Sequence, residues 1–549
     1  MALPRIELHG EVPRPLRGSA PREALPDPQE RIAVTVVLRS RADLAGAVEA
    51  LARQRPRERR LPSPEEFEER FGSSREDLEK VQAFAAEHGL EVIEASAARG
   101  VVELAGTLGQ LARAFGVRFL SFQSPRRAYR SHDGPILIPS ELKEIVENVI
   151  GLDDRPILSP ATAAAGGTAE GVTQLVFNDP RKLAAYYSFP TGGGTTGTGQ
   201  SVALIQFGGG YNPGDMEDYF QLRGIPCPEM ALIELDGQTN QPASAEVMQS
   251  CAAFLGLLGP GYAGPNDAAV YQENSAAFWA TLECTMDPQI LGTVVPGARL
   301  VTYMAPDTPK GRYDAFSKAI SDGSLVINCS WGSAEDDTPQ SSMISLDQLF
   351  QKAALKGVTI CASAGDFGNG QPSHFPATSP HVLACGGTSV DAGLTRETSW
   401  YEVISNGTLS VTMAGGGGYS QFFQVPSWQT AAGQTGRGYP DVAAKSDVMN
   451  GYDVLVTGLD LPMGGTSAAA PMWAGLVTAI NATLGQPTGY LTPLLYSADF
   501  AKALEAITQS GGGTCQPTPG WNPCTGLGSP IGTGLLAALS AEPPAARSE

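Results

Sequence analysis

The 549-residue chain has a formal charge of −20, from 37 Lys+Arg against 57 Asp+Glu. It is too long for one ordinary core, and its acidity argues against nucleic acid or an anionic membrane surface as the main partner. With 64 glycines, 42 prolines and 42% hydrophobic residues, it suits a loop-rich globular enzyme rather than a disordered chain.

The charge is uneven along the chain. Residues 1–170 hold 23 Lys+Arg against 26 Asp+Glu, and the rest 14 against 31, which marks a first domain boundary. The opening MALPRIELHGEVPRPLRG lacks the apolar stretch of a secretory signal, and no 18-residue apolar run suggests a membrane span. The first 150 residues predict a strand at Arg31–Arg39, a helix near Asp43–Arg53 and a charged helix over Ser74–His88 capped by Ser74. Strands follow at Leu90–Ala95 and Val101–Ala105, then a helix at Thr107–Phe115 and a strand at Val117–Phe122, an order that suits a ferredoxin-like fold. The basic run Arg53–Arg60 is balanced by Glu65–Glu69 and reads as a solvated loop. Residues 156–172, PILSPATAAAGGTAEGV, are small, Pro/Gly-rich and nearly uncharged, as in a protease-sensitive linker.

Beyond the linker, short apolar runs at Ser201–Phe207, Leu300–Ala305, Leu325–Cys329, Val358–Ala362 and Val382–Cys385 alternate with helical stretches such as Asp314–Ile320 and Ser342–Leu355. They predict one large α/β domain with a parallel sheet buried on both faces. Gly192–Gly199 and Gly415–Gly418 lack the lysine and spacing of a phosphate loop and read as ordinary loops. All eight cysteines lie in this part, none at zinc-ligand spacing, and most follow apolar runs as buried thiols would.

The most specific segment is Gly464-Gly465-Thr466-Ser467-Ala468-Ala469-Ala470-Pro471, followed by the helical run Met472–Ile480. Glycines permit a tight turn into a helix, and a serine there exposes its hydroxyl and aims its N–H at a reacting oxygen. The plain alternative is a helix N-cap. A serine nucleophile needs a base, yet His9, His88 and His132 lie in the N-terminal part, and His374 and His381 flank a Phe-Pro turn. A base other than histidine is required.

These features, with ECTMDPQILGTVVPGARLVTYMAP at 283–306, SAGD at 363–366, FPATSPHVLACGGT at 375–388 and TGLGSPIG at 525–532, resemble the sedolisin, or serine-carboxyl peptidase, family and its kumamolisin-like members. The resemblance implies an activation propeptide over 1–155, a processing linker over 156–172 and a subtilisin-like peptidase domain over 173–549. It also implies Glu283, Asp287, Asp366 and Ser467 as catalytic residues. Spacing of four puts Glu283 and Asp287 on one helix face within an apolar stretch, where two buried carboxyls would share a proton. Glu283 would act as general base on Ser467 with Asp287 orienting it. Asp366, just past a strand, would have to be protonated to donate to the oxyanion beside the Ser467 N–H. Activity is then expected in acid, below the pKa of Asp366 and above that of the dyad.

Four departures stand out. Pro288 directly follows Asp287 and is expected to kink or end the helix there. Gln206 replaces a proton-sharing glutamate of the family, while Trp331 matches the residue packed in the same network. The family's calcium site reads Ala506-Ile507 and Gly520-Trp521-Asn522 here, without carboxylates, so calcium is expected to be lost and no cofactor required. Cys515 and Cys524 enclose that loop, either as a disulfide replacing the ion or as two free thiols. His374 stands where relatives tend to carry an acidic pocket residue; charged in acid it would disfavour Arg or Lys before the cut, or it caps the turn.

The resulting expectation is the proenzyme of an acid-acting serine-carboxyl endopeptidase, a monomer, cleaving peptides or denatured proteins and inhibited by its own propeptide. By resemblance it is extracellular, with no nucleic acid or membrane partner. A tripeptidyl-peptidase and a catalytically weakened peptide-binding homologue are the alternatives.

Overall fold

The computed structural model describes residues 4–9, 11–157, 164–165, 175–191, 196–259, 262, 264, 266–369, 372–405, 410–429 and 435–541. Most of the 156–172 linker, including the cleavage sites expected within it, and part of Gly192–Gly199 lie outside the described residues.

The N-terminal part carries a four-stranded antiparallel sheet in the order Glu91–Ser96, Val101–Thr107, Arg31–Leu38, Val146–Ile150. This is the ferredoxin-like strand order. Helices Arg75–Glu87 and Leu108–Phe115 cover one face. The first begins where Ser74 Oγ accepts the Asp77 N–H at 2.9 Å, and the second in a reciprocal Thr107/Gln110 capping box. Val34, Val36, Val102 and Leu104 pack under these helices. Alternate residues Val37, Val101 and Ile150 point the other way and join Tyr313, Phe316, Leu346 and Phe350 of the large domain in a second core. Strand periodicity thus makes the sheet two-sided, and its second side docks the N-terminal unit.

Two expectations change here. The fourth strand is Val146–Ile150, whereas Arg118–Gln123 belongs to a separate sheet with Ala20–Pro21 and Ala128–Asp133. Both runs have strand-forming composition, and only long-range pairing distinguishes them. The Arg53–Arg60 run is also no free loop. Arg59 donates to the Thr488 and Tyr490 carbonyls at 2.5 and 2.7 Å, and Arg55 pairs with Asp499 at 2.5 Å.

The large domain is built on seven parallel strands in the order Met230–Glu234, Arg299–Ala305, Ser201–Phe207, Val326–Cys329, Thr359–Ser363, Leu383–Val390, Val442–Lys445; Glu397–Ser399 adds antiparallel to Leu383–Val390. Both faces are covered. Val202, Leu204, Leu300 and Val326 pack with helices Asp267–Val294 and Thr466–Leu484. Ala203, Ile205, Val301 and Ile327 pack with Phe316 and Phe350 of helices Pro309–Ser321 and Gln340–Leu355. Each fully buried aliphatic or aromatic side chain contributes ~1.5–3 kcal/mol, which is why these strands read as continuous apolar runs.

Helix Asp267–Val294 continues through Pro288 to Val294, so the expected break at the dyad does not occur. Leu282, Met286, Ile290, Leu291 and Val294 anchor it on both sides of the proline, and that packing outweighs the missing N–H. Gly415–Gly418 lies within strand Ser410–Tyr419 rather than a loop. A Cβ on Gly416 would come within 2.4 Å of the Ala364 carbonyl and one on Gly417 within 1.8 Å of the Pro523 carbonyl, so backbone contact there requires glycine. The unpaired cysteines Cys251, Cys284, Cys329, Cys361 and Cys385 are buried as expected, while Cys227 is exposed. Among the described residues no helix is long and apolar enough to cross a membrane.

Candidate active site

The four candidate catalytic residues converge at the carboxyl ends of the central strands, where open α/β sheets form their crevice. Ser467 is the second residue of helix Thr466–Leu484, whose preceding Gly465 has φ +87°. A helix N-terminus leaves its first N–H groups without intrahelical acceptors, so the Ser467 N–H is oriented outward as an anion donor. The 7% exposed Ser467 donates from Oγ to the Ser330 carbonyl at 3.2 Å.

Glu283 and Asp287 lie one helical turn apart on Asp267–Val294, and Asp287 is fully buried. Its Oδ2 accepts from Gln206 Nε2 at 2.8 Å and Asn328 Nδ2 at 2.9 Å, and its Oδ1 from Ser330 Oγ at 2.9 Å. Glu283 Oε1 is sealed from solvent with no hydrogen-bond partner. Burial holds the Glu283 carboxyl well above the carboxylate range, with the Asp287 and then the Asp366 charge adding to it, while the Ser467 and Ser330 hydroxyls oppose the rise. Burial also raises Asp287, against the pull of its three donors. Charge is therefore best held on Asp287 and the shared proton on Glu283.

Gln206 stands at the centre of this network. Its Oε1 accepts from Trp331 Nε1 at 2.7 Å and from Cys284 Sγ at 3.4 Å, which orients its Nε2 toward Asp287. The amide thus donates a hydrogen bond to Asp287 but has no proton to share with it.

Asp366 follows strand Thr359–Ser363 and is 2% exposed. Its Oδ1 accepts both the Thr466 N–H at 2.8 Å and the Thr466 hydroxyl at 2.7 Å. Those donors leave Oδ2 to carry a proton. A Cβ on Gly465 would lie 2.6 Å from Oδ2, so the glycine makes room for the carboxyl. Burial raises Asp366 to about 6, opposed by the two Thr466 donors. In this arrangement burial raises the dyad as well. Desolvation therefore acts on the dyad and on Asp366 in the same direction and does not by itself hold the dyad below Asp366. Desolvation is the leading cause in all three carboxyls.

His374 packs its ring where a Cβ on Gly332 would sit 2.2 Å away, and its Nδ1 has no partner. Burial, then Arg312, lowers it to about 4, so it is neutral over most of the acid range rather than a cation.

The loop corresponding to the family's calcium site is stapled by a Cys515–Cys524 disulfide. Asn522 Oδ1 accepts from the Cys524 and Thr525 N–H groups at 3.0 and 3.1 Å, and its Nδ2 donates to the Thr518 carbonyl at 3.0 Å. Its oxygen is spent on internal donors, while Ala506, Ile507 and Gly520 supply no carboxylate. This donor set does not fit calcium. Elsewhere Glu103, Asp236 and Asp314 cluster like metal ligands, but Lys310 Nζ bonds all three at 2.8, 2.6 and 2.6 Å and supplies the positive charge.

Sequence reasoning missed Asn328, Ser330 and Thr466. Asn328 and Ser330 are polar residues ending the apolar run VINCS, a pattern that signals a buried hydrogen-bonding task. Thr466 was visible only as a possible cap.

Residues 19–155 match the model of the "Pro-kumamolisin, activation domain" family and residues 268–495 that of the "Subtilase family". The chain is similar to kumamolisin of Bacillus sp. (strain MN-32), 35% identical over 546 residues covering 93% of this chain and 92% of that protein. It is 28% identical to sedolisin of Pseudomonas sp. (strain 101), over 86% of this chain and 79% of that one. Tripeptidyl-peptidase 1 of Canis lupus familiaris is 28% identical over 74% of this chain and 72% of its own. The solved Pseudomonas sedolisin, complexed with pseudo-iodotyrostatin, shares the fold with a TM-score of 0.53 and 24% identity, over 66% of this chain and 98% of that one. Together with the subtilisin-like sheet and the N-terminal unit, these matches show that the chain belongs to the sedolisin family of serine-type peptidases, in a form that carries its activation domain.

Proposed function

We propose that the chain is the proform of an acid-acting serine-carboxyl endopeptidase, with a propeptide over 1–155, a processing linker over 156–172 and the catalytic domain over 173–549. Ser467 is the nucleophile, Glu283 the general base, Asp287 its orienting partner and Asp366 the oxyanion donor. The observation that carries this reading is the clustering of buried Asp287 and Asp366 and half-buried Glu283 at the N-terminus of the helix bearing Ser467.

Ionised Glu283 takes the proton of Ser467 as Oγ bonds to the peptide carbonyl carbon. The developing oxyanion is held by protonated Asp366 Oδ2 and the Ser467 N–H. Collapse breaks the C–N bond, and Glu283 returns the proton to the leaving amine. Water then attacks the acyl-enzyme by the reverse route, with Glu283 again accepting a proton. Asp287, held by three donors, stabilises the protonated form of Glu283. Burial favours a neutral Glu283, so the base step requires that carboxyl to be ionised in the processed enzyme. The N-terminal unit is the intramolecular inhibitor, peptides or denatured proteins are substrates, and neither metal nor cofactor takes part. The enzyme acts as an extracellular monomer without nucleic acid or membrane partners.

Denatured casein at pH 3–5, with the Ser467→Ala chain alongside, tests the reading. Hydrolysis by the unsubstituted chain alone is expected; equal, negligible turnover by both would instead favour a peptide-binding homologue. Cleavage within a peptide blocked at its N-terminus separates endopeptidase from tripeptidyl-peptidase action.

A further inference from the structure

Arg312 is an unusual buried cation. It is 3% exposed and makes no ion pair among the described residues. Buried Arg437, Lys445 and Arg155, by contrast, each meet a carboxylate at 2.6 Å or less. Both terminal nitrogens of Arg312 reach the same Ser333 hydroxyl at 3.2 Å, and Nε has no partner. That hydroxyl is already engaged with Thr338 Oγ1 at 2.8 Å. Arg312 is also the fourth residue of helix Pro309–Ser321, where the helix dipole disfavours a cation. Two residues earlier Lys310 offsets the same penalty with three carboxylates. A desolvated guanidinium without a paired carboxylate is costly, and such groups concentrate at binding sites.

The surroundings give this cation an address. Arg312 lines a cavity with Pro309, Thr338 and Phe375, and the cavity is closed by Ile150 and Ile157 from the N-terminal side. Ile157 is 4% exposed, and its N–H donates to Asp307 Oδ1 at 3.0 Å. Only about 10 Å³ remains, no more than one water's room. Ser333, which holds Arg312, lies three residues from Ser330, whose carbonyl accepts from Ser467 Oγ. The N-terminal segment therefore fills, with an aliphatic side chain, a pocket that has a cation in its wall, and that cation is held by the segment that continues from Ser330.

We propose that this pocket is a substrate subsite selecting an acidic side chain, glutamate by reach, whose carboxylate pairs with Arg312 once Ile157 has left. Asp307 then accepts the N–H of that substrate residue as it does that of Ile157. The subsite rests on the peptidase reading, but its recognition chemistry can be tested without turnover.

In the full chain carrying Ser467→Ala, Ile157→Glu and Ile157→Gln are compared by thermal melting at pH 6, with Arg312 and with Arg312→Met. With Arg312 present, the Ile157→Glu chain is expected to melt at least about 2 °C above the Ile157→Gln chain, and with Arg312→Met the difference vanishes. An Ile157→Glu chain melting at or below its Ile157→Gln counterpart overturns the proposal, and this comparison decides even if Arg312→Met fails to fold. So does a difference that survives Arg312→Met. In the acid-processed enzyme, peptides with Glu rather than Gln at one position before the cut should show about tenfold higher kcat/KM; no preference at any position would refute the subsite. Absence of all hydrolysis would instead overturn the peptidase reading, leaving the melting comparison to decide the pocket.

Discussion

In the proposed mechanism Asp366 couples the chemistry to pH. Raised to about 6, it is neutral and able to donate below that value, and anionic and repulsive to the oxyanion above it. Asp366→Asn keeps a donor that does not titrate. It is therefore expected to remove the fall in kcat/KM near pH 6, at a cost of about 10²–10³ in rate for imperfect oxyanion geometry. An unchanged alkaline limb in this variant would assign that limb to another group. Gln206 acts through Asp287. Replacing it with alanine takes one of the three donors from Asp287 and leaves buried Trp331 Nε1 without its acceptor. A stability loss of ~1–3 kcal/mol is expected, measurable by denaturant melts. The four catalytic candidates were legible from motifs in the sequence. Their partners were not, because Asn328 and Ser330 reach Asp287 only through strand order, which local patterns do not encode.

At the scale of elements, the helix starting at Thr466 depends on Gly465. A side chain there meets both an unfavourable φ of +87° and the Asp366 carboxyl at 2.6 Å. Gly465→Ala should therefore reduce kcat far more than it raises KM, and a variant with undiminished kcat would show that Asp366 has room to shift. The Cys515–Cys524 staple and the spent oxygen of Asn522 give a second expectation. Reduction of the disulfide should lower Tm, while chelator leaves it unchanged; stabilisation by added calcium would contradict the loss of that site. The parallel strands were readable because burial on both faces makes them apolar runs. Val146–Ile150 and Ser410–Tyr419 were not, since the first owes its strand to distant Arg31–Leu38 and the second holds four glycines in ten residues where backbones touch. Pro288 misled for the same reason: local preference favoured a break, and core packing on both sides of it prevailed.

At the scale of the molecule, burial raises a set of carboxyls that includes Asp366, Glu283, Asp287 and Glu402, the last to about 7. Each binds more protons in the folded than in the unfolded chain between its two pKa values. Its stabilising contribution is thus present below the ordinary carboxyl range and lost as pH rises through the folded value. Asp366 alone, raised from 3.8 to about 6, accounts for on the order of 3 kcal/mol. Calorimetric melts of the Ser467→Ala chain should therefore show Tm falling between pH 4 and pH 7, and a rising Tm would show that paired carboxylates such as Asp153 and Asp347 dominate instead. The acidic bias of the large domain, with 14 Lys+Arg against 31 Asp+Glu beyond residue 170, acts in the same direction, because protonation relieves its self-repulsion.

The central claim, a serine activated through carboxyls rather than a histidine, is tested most directly by kcat/KM from pH 2 to pH 8 for the acid-processed chain beside Ser467→Ala. The expected result is hydrolysis confined to pH values below about 6, where Asp366 is protonated, and abolished by Ser467→Ala. Full activity at neutral pH, or activity that survives Ser467→Ala, would contradict it.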